Sequence, residues 1–161
     1  MRTFVKIFVA VIHLVLADAI VKEAALGYLK GKPPCVVIGG FFDLAYVENR
    51  GCAWGMLQGQ VWPLAAFGLV ALAFLVWKRR DVFGLASPAR RVRLAGSVSE
   101  VLLYAGILGN LIDRVARGFV IDLFDFRFGG WHFPCFNLAD AYITVAAVTL
   151  VALSLFTPKR S

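Results

Sequence analysis

Residues 109–143 read GNLIDRVARGFVIDLFDFRFGGWHFPCFNLADAYI and hold four of the chain's ten carboxylates, Asp113, Asp122, Asp125 and Asp140, together with Asn110, Asn137 and Arg114. Asn110, Asp113 and Arg114 follow the i, i+3, i+4 rule and share a helix face, and Asn137 and Asp140 stand i, i+3. Two carboxyl groups held a few ångströms apart do not both ionise readily; they share a proton. One then takes a proton from water while the other gives one to a leaving amine. This is aspartic-protease chemistry, and it needs neither a metal nor a covalent intermediate. Other chemistries lack parts. There is no G-x-S-x-G elbow or S-x-x-K pair. His13 and His132 do not have metal-ligand spacing, and no glycine-rich phosphate loop follows a strand.

Each of these residues also has a purely structural reading. Asn137 is a good N-cap, with Asp140 at the third helical position as in a capping box. Asp18 and Lys22 form an i, i+4 helix-end pair, and Asp113 with Arg114 can be a local ion pair. Asp125 beside Arg127 reads as a solvated loop charge. Glu100 lies inside an apolar segment, where it either pairs within the bundle or snorkels. The aromatic cluster Phe124, Phe126, Phe128, Trp131, His132 and Phe133 marks an interfacial belt, or a lid over a lipid substrate.

The elements that position these groups follow from composition. The 161-residue chain is 60% hydrophobic and 17% charged, with mean hydropathy +0.78. Soluble domains are about half apolar and about a quarter charged, so the chain is an integral membrane protein of one domain, 1–161. The net charge of +7 falls beside apolar segments, so it is a topology signal and not a nucleic-acid surface. Cys35, Cys52 and Cys135 have no metal or redox spacing and read as small apolar fillers. Ala17-Asp18-Ala19 has the shape of a signal-peptide cleavage site, but apolar character continues to Val21 and is read as a retained first span.

The spacing predicts spans over about 4–21, 58–77, 94–112 and 139–156. Between the first two, glycines and prolines alternate with strand-favouring residues, which predicts a small extramembrane β region over about 30–50, a hairpin turning at Gly39-Gly40. Gly51, Gly55 and Gly59 recur every four residues ahead of the second span and would allow close backbone approach; Pro63 starts or kinks that helix. Residues 113–138 read as a polar and aromatic connection. With both termini and the central loop on one side, that side carries ten of the 17 Lys and Arg and is cytoplasmic by the positive-inside rule. Asp18, Asp113 and Asp140 then lie at the outward ends of three different spans, and Asp122 lies in the connection joining two of them. The fold class is an all-α membrane protein with four transmembrane helices and a small extramembrane β-sheet on the non-cytoplasmic side.

Five blocks, in order, resemble the bacterial lipoprotein signal peptidase (signal peptidase II) family. They are Asp18-Ala-Ile-Val-Lys22 (D-x-x-x-K), Asn49-Arg-Gly51-Cys-Ala53-Trp-Gly55 (N-x-G-x-A-x-G), Gly109-Asn110-Leu-Ile-Asp113-Arg114 (G-N-x-x-D-R), Val120-Ile-Asp122-Leu-Phe124 and Phe136-Asn137-Leu-Ala139-Asp140 (F-N-x-A-D). The resemblance implies an aspartyl endopeptidase of the bacterial inner membrane, multi-pass with both termini cytoplasmic and its site near the outer leaflet. It would remove the signal peptide from diacylglyceryl-modified prolipoproteins, cutting before the lipidated cysteine. It implies Asp122 and Asp140 as the catalytic pair. Asp18, Lys22, Asn49, Gly51, Asn110, Asp113, Arg114 and Asn137 would support the pair or bind substrate, and the β region would be the family's β-cradle. The expected partners are those prolipoproteins and membrane lipid, with no nucleic acid and the enzyme as a monomer; no cofactor or metal is expected. Ala19, Cys52, Trp54 and Leu123 depart from the family pattern, and Glu100 is not part of it. The alternative is a non-enzymatic four-span transporter subunit or membrane scaffold whose acids hold ions or partners.

Overall fold

The computed structural model describes residues 2–52 and 56–156. The first helix, α1 (Arg2–Leu29), is about 42 Å long at 1.5 Å per residue and stops where Gly31 turns left-handed at φ +74° ahead of Pro33-Pro34. Two strands follow, β1 (Cys35–Ile38) and β2 (Phe42–Asn49). Their turn depends on Gly40 at φ +72°, a region that L side chains rarely adopt. Next come α2 (Val61–Trp77), the single turn α3 (Arg79–Val82) and α4 (Arg90–Arg117). Pro63 sits in the first turn of α2 and therefore starts that helix, where its missing N–H costs nothing. Gly118, left-handed at φ +76°, caps α4 by donating its N–H to Arg114 O. The chain ends with β3 (Val120–Phe128), β4 (Trp131–His132) and α5 (Leu138–Phe156).

Three helices, α1, α4 and α5, are long and apolar enough to cross a membrane; α2 is apolar throughout at 17 residues. Their outer faces present large apolar side chains such as Ile20, Phe67, Val70, Val148 and Leu155, a surface suited to lipid and not to water. Helix α4 is the central element and packs on α1, α2 and α5. Its closest approach to α5 is at two glycines. A Cβ on Gly106 would lie 2.5 Å from Ala139 O, and one on Gly109 would lie 2.7 Å from the Asp18 carboxylate. Only hydrogen fits at these positions, and this brings α1, α4 and the start of α5 together.

The sheet is antiparallel in the order β1-β2-β3-β4. The β2–β3 register pairs Val47 with Asp122 and Asn49 with Val120. Phe42 stacks on Phe126 at 4.5 Å and Phe126 on Phe136 at 5.8 Å between ring centroids, so Phe124 and Phe126 of the aromatic cluster pack on the sheet, while Phe128, Trp131, His132 and Phe133 are exposed.

The structure corrects several sequence expectations. The polar and aromatic connection 113–138 is largely regular structure: α4 runs on to Arg117, and β3 and β4 follow within it. Helix α1 runs on to Leu29, beyond the apolar segment, with Asp18 and Lys22 paired within it at 2.7 Å. Asp125 is not a solvated loop charge but lies on β3, paired with Arg127 at 3.0 Å. Gly51 and Gly59 precede α2 and lie in a loop, so they form no helical stripe; Gly55 lies outside the described residues, as do Ala53 and Trp54. Cys35 is exposed and so is not an apolar filler.

Candidate active site

The site forms where α1, α4, α5, β2 and β3 meet. Its polar groups are buried: Asp18, Lys22, Asn110, Asp113, Asp122 and Asn137. Helix α5 delivers Asp140 through its own start. Asn137 is its N-cap: Asp140 N–H donates to Asn137 Oδ1 at 2.9 Å, and Asn137 N–H donates back to Asp140 Oδ2 at 3.3 Å. This reciprocal arrangement is a capping box. The next free donor, Ala139 N–H, is taken by Asp18 Oδ1 at 2.9 Å, so the first helix caps the last.

The cap is also a ligand. Asn137 Nδ2 donates to Asp122 Oδ1 at 2.7 Å. The other Asp122 oxygen accepts from Asn49 Nδ2 at 2.9 Å. Asn49 is oriented by its own backbone, since Gly51 N–H donates to Asn49 Oδ1 at 2.9 Å; this leaves only the amide nitrogen facing Asp122. Asn110 Nδ2 donates to Asp140 Oδ1 at 2.7 Å. Asp122 and Asp140 are therefore both held by carboxamide donors, and among the described residues neither forms an ion pair. Arg114 anchors the rim by donating to Asn110 O at 3.2 Å and Gly51 O at 3.1 Å. Burial pushes the Asp122 carboxyl up to about 7, with the Asp140 charge adding to the effect and the Asn49 and Asn137 hydrogen bonds opposing it. A carboxyl poised near neutrality can exchange a proton at the working pH.

Behind this layer, Lys22 Nζ meets Asp18 Oδ2 at 2.7 Å, Asp113 Oδ2 at 2.9 Å and Asn110 Oδ1 at 3.1 Å. Asp113 also holds Arg117 at 3.1 Å and accepts Ile121 N–H at 3.3 Å. Thus Asn110 and Arg114 reach the cleft, while Asp113 turns towards α1 and the start of β3. Periodicity put the three on one face, and tertiary packing divides them.

The two carboxyls lie on a cleft of about 760 Å³. Its far walls are apolar, from Leu64, Phe67, Gly68 and Ala71 of α2, Leu103, Ile107 and Leu111 of α4, and Ile143 and Val145 of α5. Its mouth carries Asn49, Cys52, Arg114, Phe133 and Cys135. Sequence reasoning left Cys52 and Cys135 without a site. Burial pushes the Cys135 thiol up to about 12, so it stays protonated and is no nucleophile. The Lys22–Asn110 link was also missed, because nothing local joins residues 88 positions apart.

Among the described residues, a bundle with three spanning-length helices, a small antiparallel sheet and two carboxyls, one buried and one half-buried, lining an apolar cleft define a multi-pass membrane protein with a hydrolase-like site. The family model described as signal peptidase (SPase) II matches residues 10–156. The chain is 38% identical to the lipoprotein signal peptidase of Clostridioides difficile (strain 630), covering 94% of this chain and 95% of that one. It is 34% identical to that of Francisella tularensis subsp. novicida (strain U112), over 100% and 98%. A solved bacterial membrane enzyme superposes with TM-score 0.78 at 28% identity, covering 97% of this chain and 93% of the other. The chain belongs to the signal peptidase II family and is a protease of that family.

Proposed function

We propose that the protein removes the signal peptide from diacylglyceryl-modified prolipoproteins, cutting before the lipidated cysteine, with Asp122 and Asp140 as its catalytic pair. The observation that carries the residue assignment is the amide cradle. Asn49 and Asn137 donate to the two oxygens of Asp122, and Asn110 donates to Asp140. Carboxamides orient carboxyls without neutralising them, so one proton can be shared across the pair. The ionised member takes a proton from water as the water attacks the scissile carbonyl. The protonated member donates to the leaving amine. Arg114 lies beside both carboxyls and its guanidinium favours the negative charge of the tetrahedral intermediate.

The apolar walls formed by α2, α4 and α5 suit a signal helix and acyl chains that enter laterally from the bilayer. In this reading α2 is a fourth span, since about 17 residues is the lower limit for crossing. The sheet faces outward, both termini are cytoplasmic, the membrane is the bacterial inner membrane, and the enzyme works as a monomer. In inside-out vesicles and intact spheroplasts of the C52A/C135A variant, a membrane-impermeant maleimide should label Cys35 only from the outer side. Labelling only from the cytoplasmic side overturns the topology. For the activity, a gel-shift assay with a lipidated prolipoprotein should show cleavage by the wild type and none by D122N or D140N. Normal processing by either variant overturns the pair.

A further inference from the structure

Lys22 is among the largest fully buried side chains of the described residues, 1% exposed, and the cleavage chemistry makes no direct use of it. Its three donors are matched by three acceptors: Asp18 Oδ2, Asp113 Oδ2 and Asn110 Oδ1. The third contact bears on the site. An ammonium group can only donate, so the atom of Asn110 that meets Lys22 must be the oxygen. The nitrogen of the same carboxamide is thereby directed to Asp140 Oδ1.

We propose that Lys22 is a positioning residue that sets the orientation of the Asn110 carboxamide, and through it obliges Asp140 to accept a hydrogen bond. The proposal rests on the Asp122–Asp140 reading. Among the described residues the only other donor to Asn110 Oδ1 is Asn137 Nδ2 at 3.2 Å, and that amide also faces Ile121 O at 3.2 Å and Asp122 Oδ1 at 2.7 Å. Asn137 therefore holds Asn110 only in competition with shorter or equal bonds. Without Lys22 the Asn110 amide is free to turn its carbonyl towards Asp140. A carbonyl there accepts only from a protonated carboxyl, so the pair keeps its proton to higher pH.

The charged groups around this line are few. Lys22 faces Asp18 from α1 and Asp113 from α4; Asp113 in turn carries Arg117, which also bonds Glu23 of α1. The pair itself is faced by Arg114 of α4, by Cys52 on the loop after β2 and by Cys135 before α5. A variant that removes Lys22 alone leaves the buried Asp18 without a cation, while Asp113 keeps Arg117, and changes the field at the pair. The informative variant is therefore K22M/D113L, which removes one positive and one negative charge. Replacing a buried ion pair with packed apolar groups is often neutral for stability.

The experiment measures kcat and KM against pH for cleavage of a lipidated prolipoprotein in detergent, beside thermal unfolding of each variant. For K22M/D113L the expected result is a kcat about 10-fold lower with KM nearly unchanged, and an alkaline limb about one pH unit higher, the scale of a general acid–base contribution partly lost. K22R keeps a donor-only cation facing Asn110 and should keep the wild-type limb. A folded K22M/D113L with the wild-type limb overturns the proposal, and so does a K22R enzyme with a displaced limb. K22R decides the matter if the double variant does not fold. D140N is run in parallel: if it still cleaves, the carboxylate pair is wrong, whereas an inactive D140N with an unshifted double variant removes only the role of Lys22.

Discussion

The molecule buries acid in two places along α4, and the two are built differently. In the first half of α4, Glu100 is 1% exposed and is gripped by one guanidinium: Arg79 Nε at 2.7 Å and Nη2 at 3.0 Å. Arg79 is held in turn over the Phe4 ring at 4.5 Å. Ten to fourteen residues further along, or about 15–21 Å, the carboxyls of Asp122 and Asp140 receive neutral amides, and the nearest ammonium, Lys22, is kept one layer back by Asp18 and Asp113. A bidentate guanidinium occupies both oxygens of a carboxylate and fixes it in place. Amides leave it able to gain and lose a proton. The same functional group, a carboxyl, is a structural pin at Glu100 and the proposed proton carrier at Asp122 and Asp140, and the difference lies in what its oxygens face.

The strongest way to break this contrast is to neutralise each site. D122N or D140N should lower cleavage about 10³-fold or more, the scale of lost general acid–base catalysis, and leave thermal unfolding close to wild type; a gel shift and an unfolding scan read both. R79A should do the reverse. It strands Glu100 in an apolar setting and should destabilise by roughly 3 kcal/mol, while kcat per folded enzyme stays near wild type. R79A/E100L should regain most of that stability, and an R79A enzyme with intact Tm would mean Glu100 is solvated.

The pH dependence sharpens the comparison. The Asp122 carboxyl holds its proton to about 7 in the fold and would release it near 3.8 when unfolded. The native state therefore binds more protons between those values, and stability falls as pH rises from about 4 to about 7, then levels off. Tm of wild type minus that of D122N, followed from pH 4 to 8, should carry this slope, and a flat difference contradicts it. The smallest effect is expected for N137A. It removes one hydrogen bond to Asp122 and the α5 cap, so kcat should drop about 10-fold and stability by about 1 kcal/mol. Restoration of both by N137S would mean the cap alone matters.

Much of this was legible in the residues. Hydropathy located the apolar segments and Pro63 marked the start of α2. The spacing of Asn137 and Asp140 announced a capping box, and the structure shows the same asparagine capping α5 and bonding Asp122. The strand β3 was not legible: Val120 to Phe128 interleaves acids with aromatics and reads as loop until β2 lies beside it. Spacing placed Asp113 on a face with Asn110 and Arg114, but it cannot say which neighbour each of the three meets.

The amino-acid sequence by itself determined the class of the molecule, the order of its helices and the local chemistry of each helix end, since those depend on hydropathy and on contacts within a turn. Tertiary structure alone decided who faces whom. Asn49 meets Asp122 across 73 residues because β2 pairs with β3, and Asp18 meets the start of α5 across 121 because Gly106 and Gly109 let the helices close. Only there does Asp122, and not Asp113, become the neighbour of Asp140. Hydrogen bonds act over about 3 Å, and no local pattern specifies a distance between segments that only packing brings together.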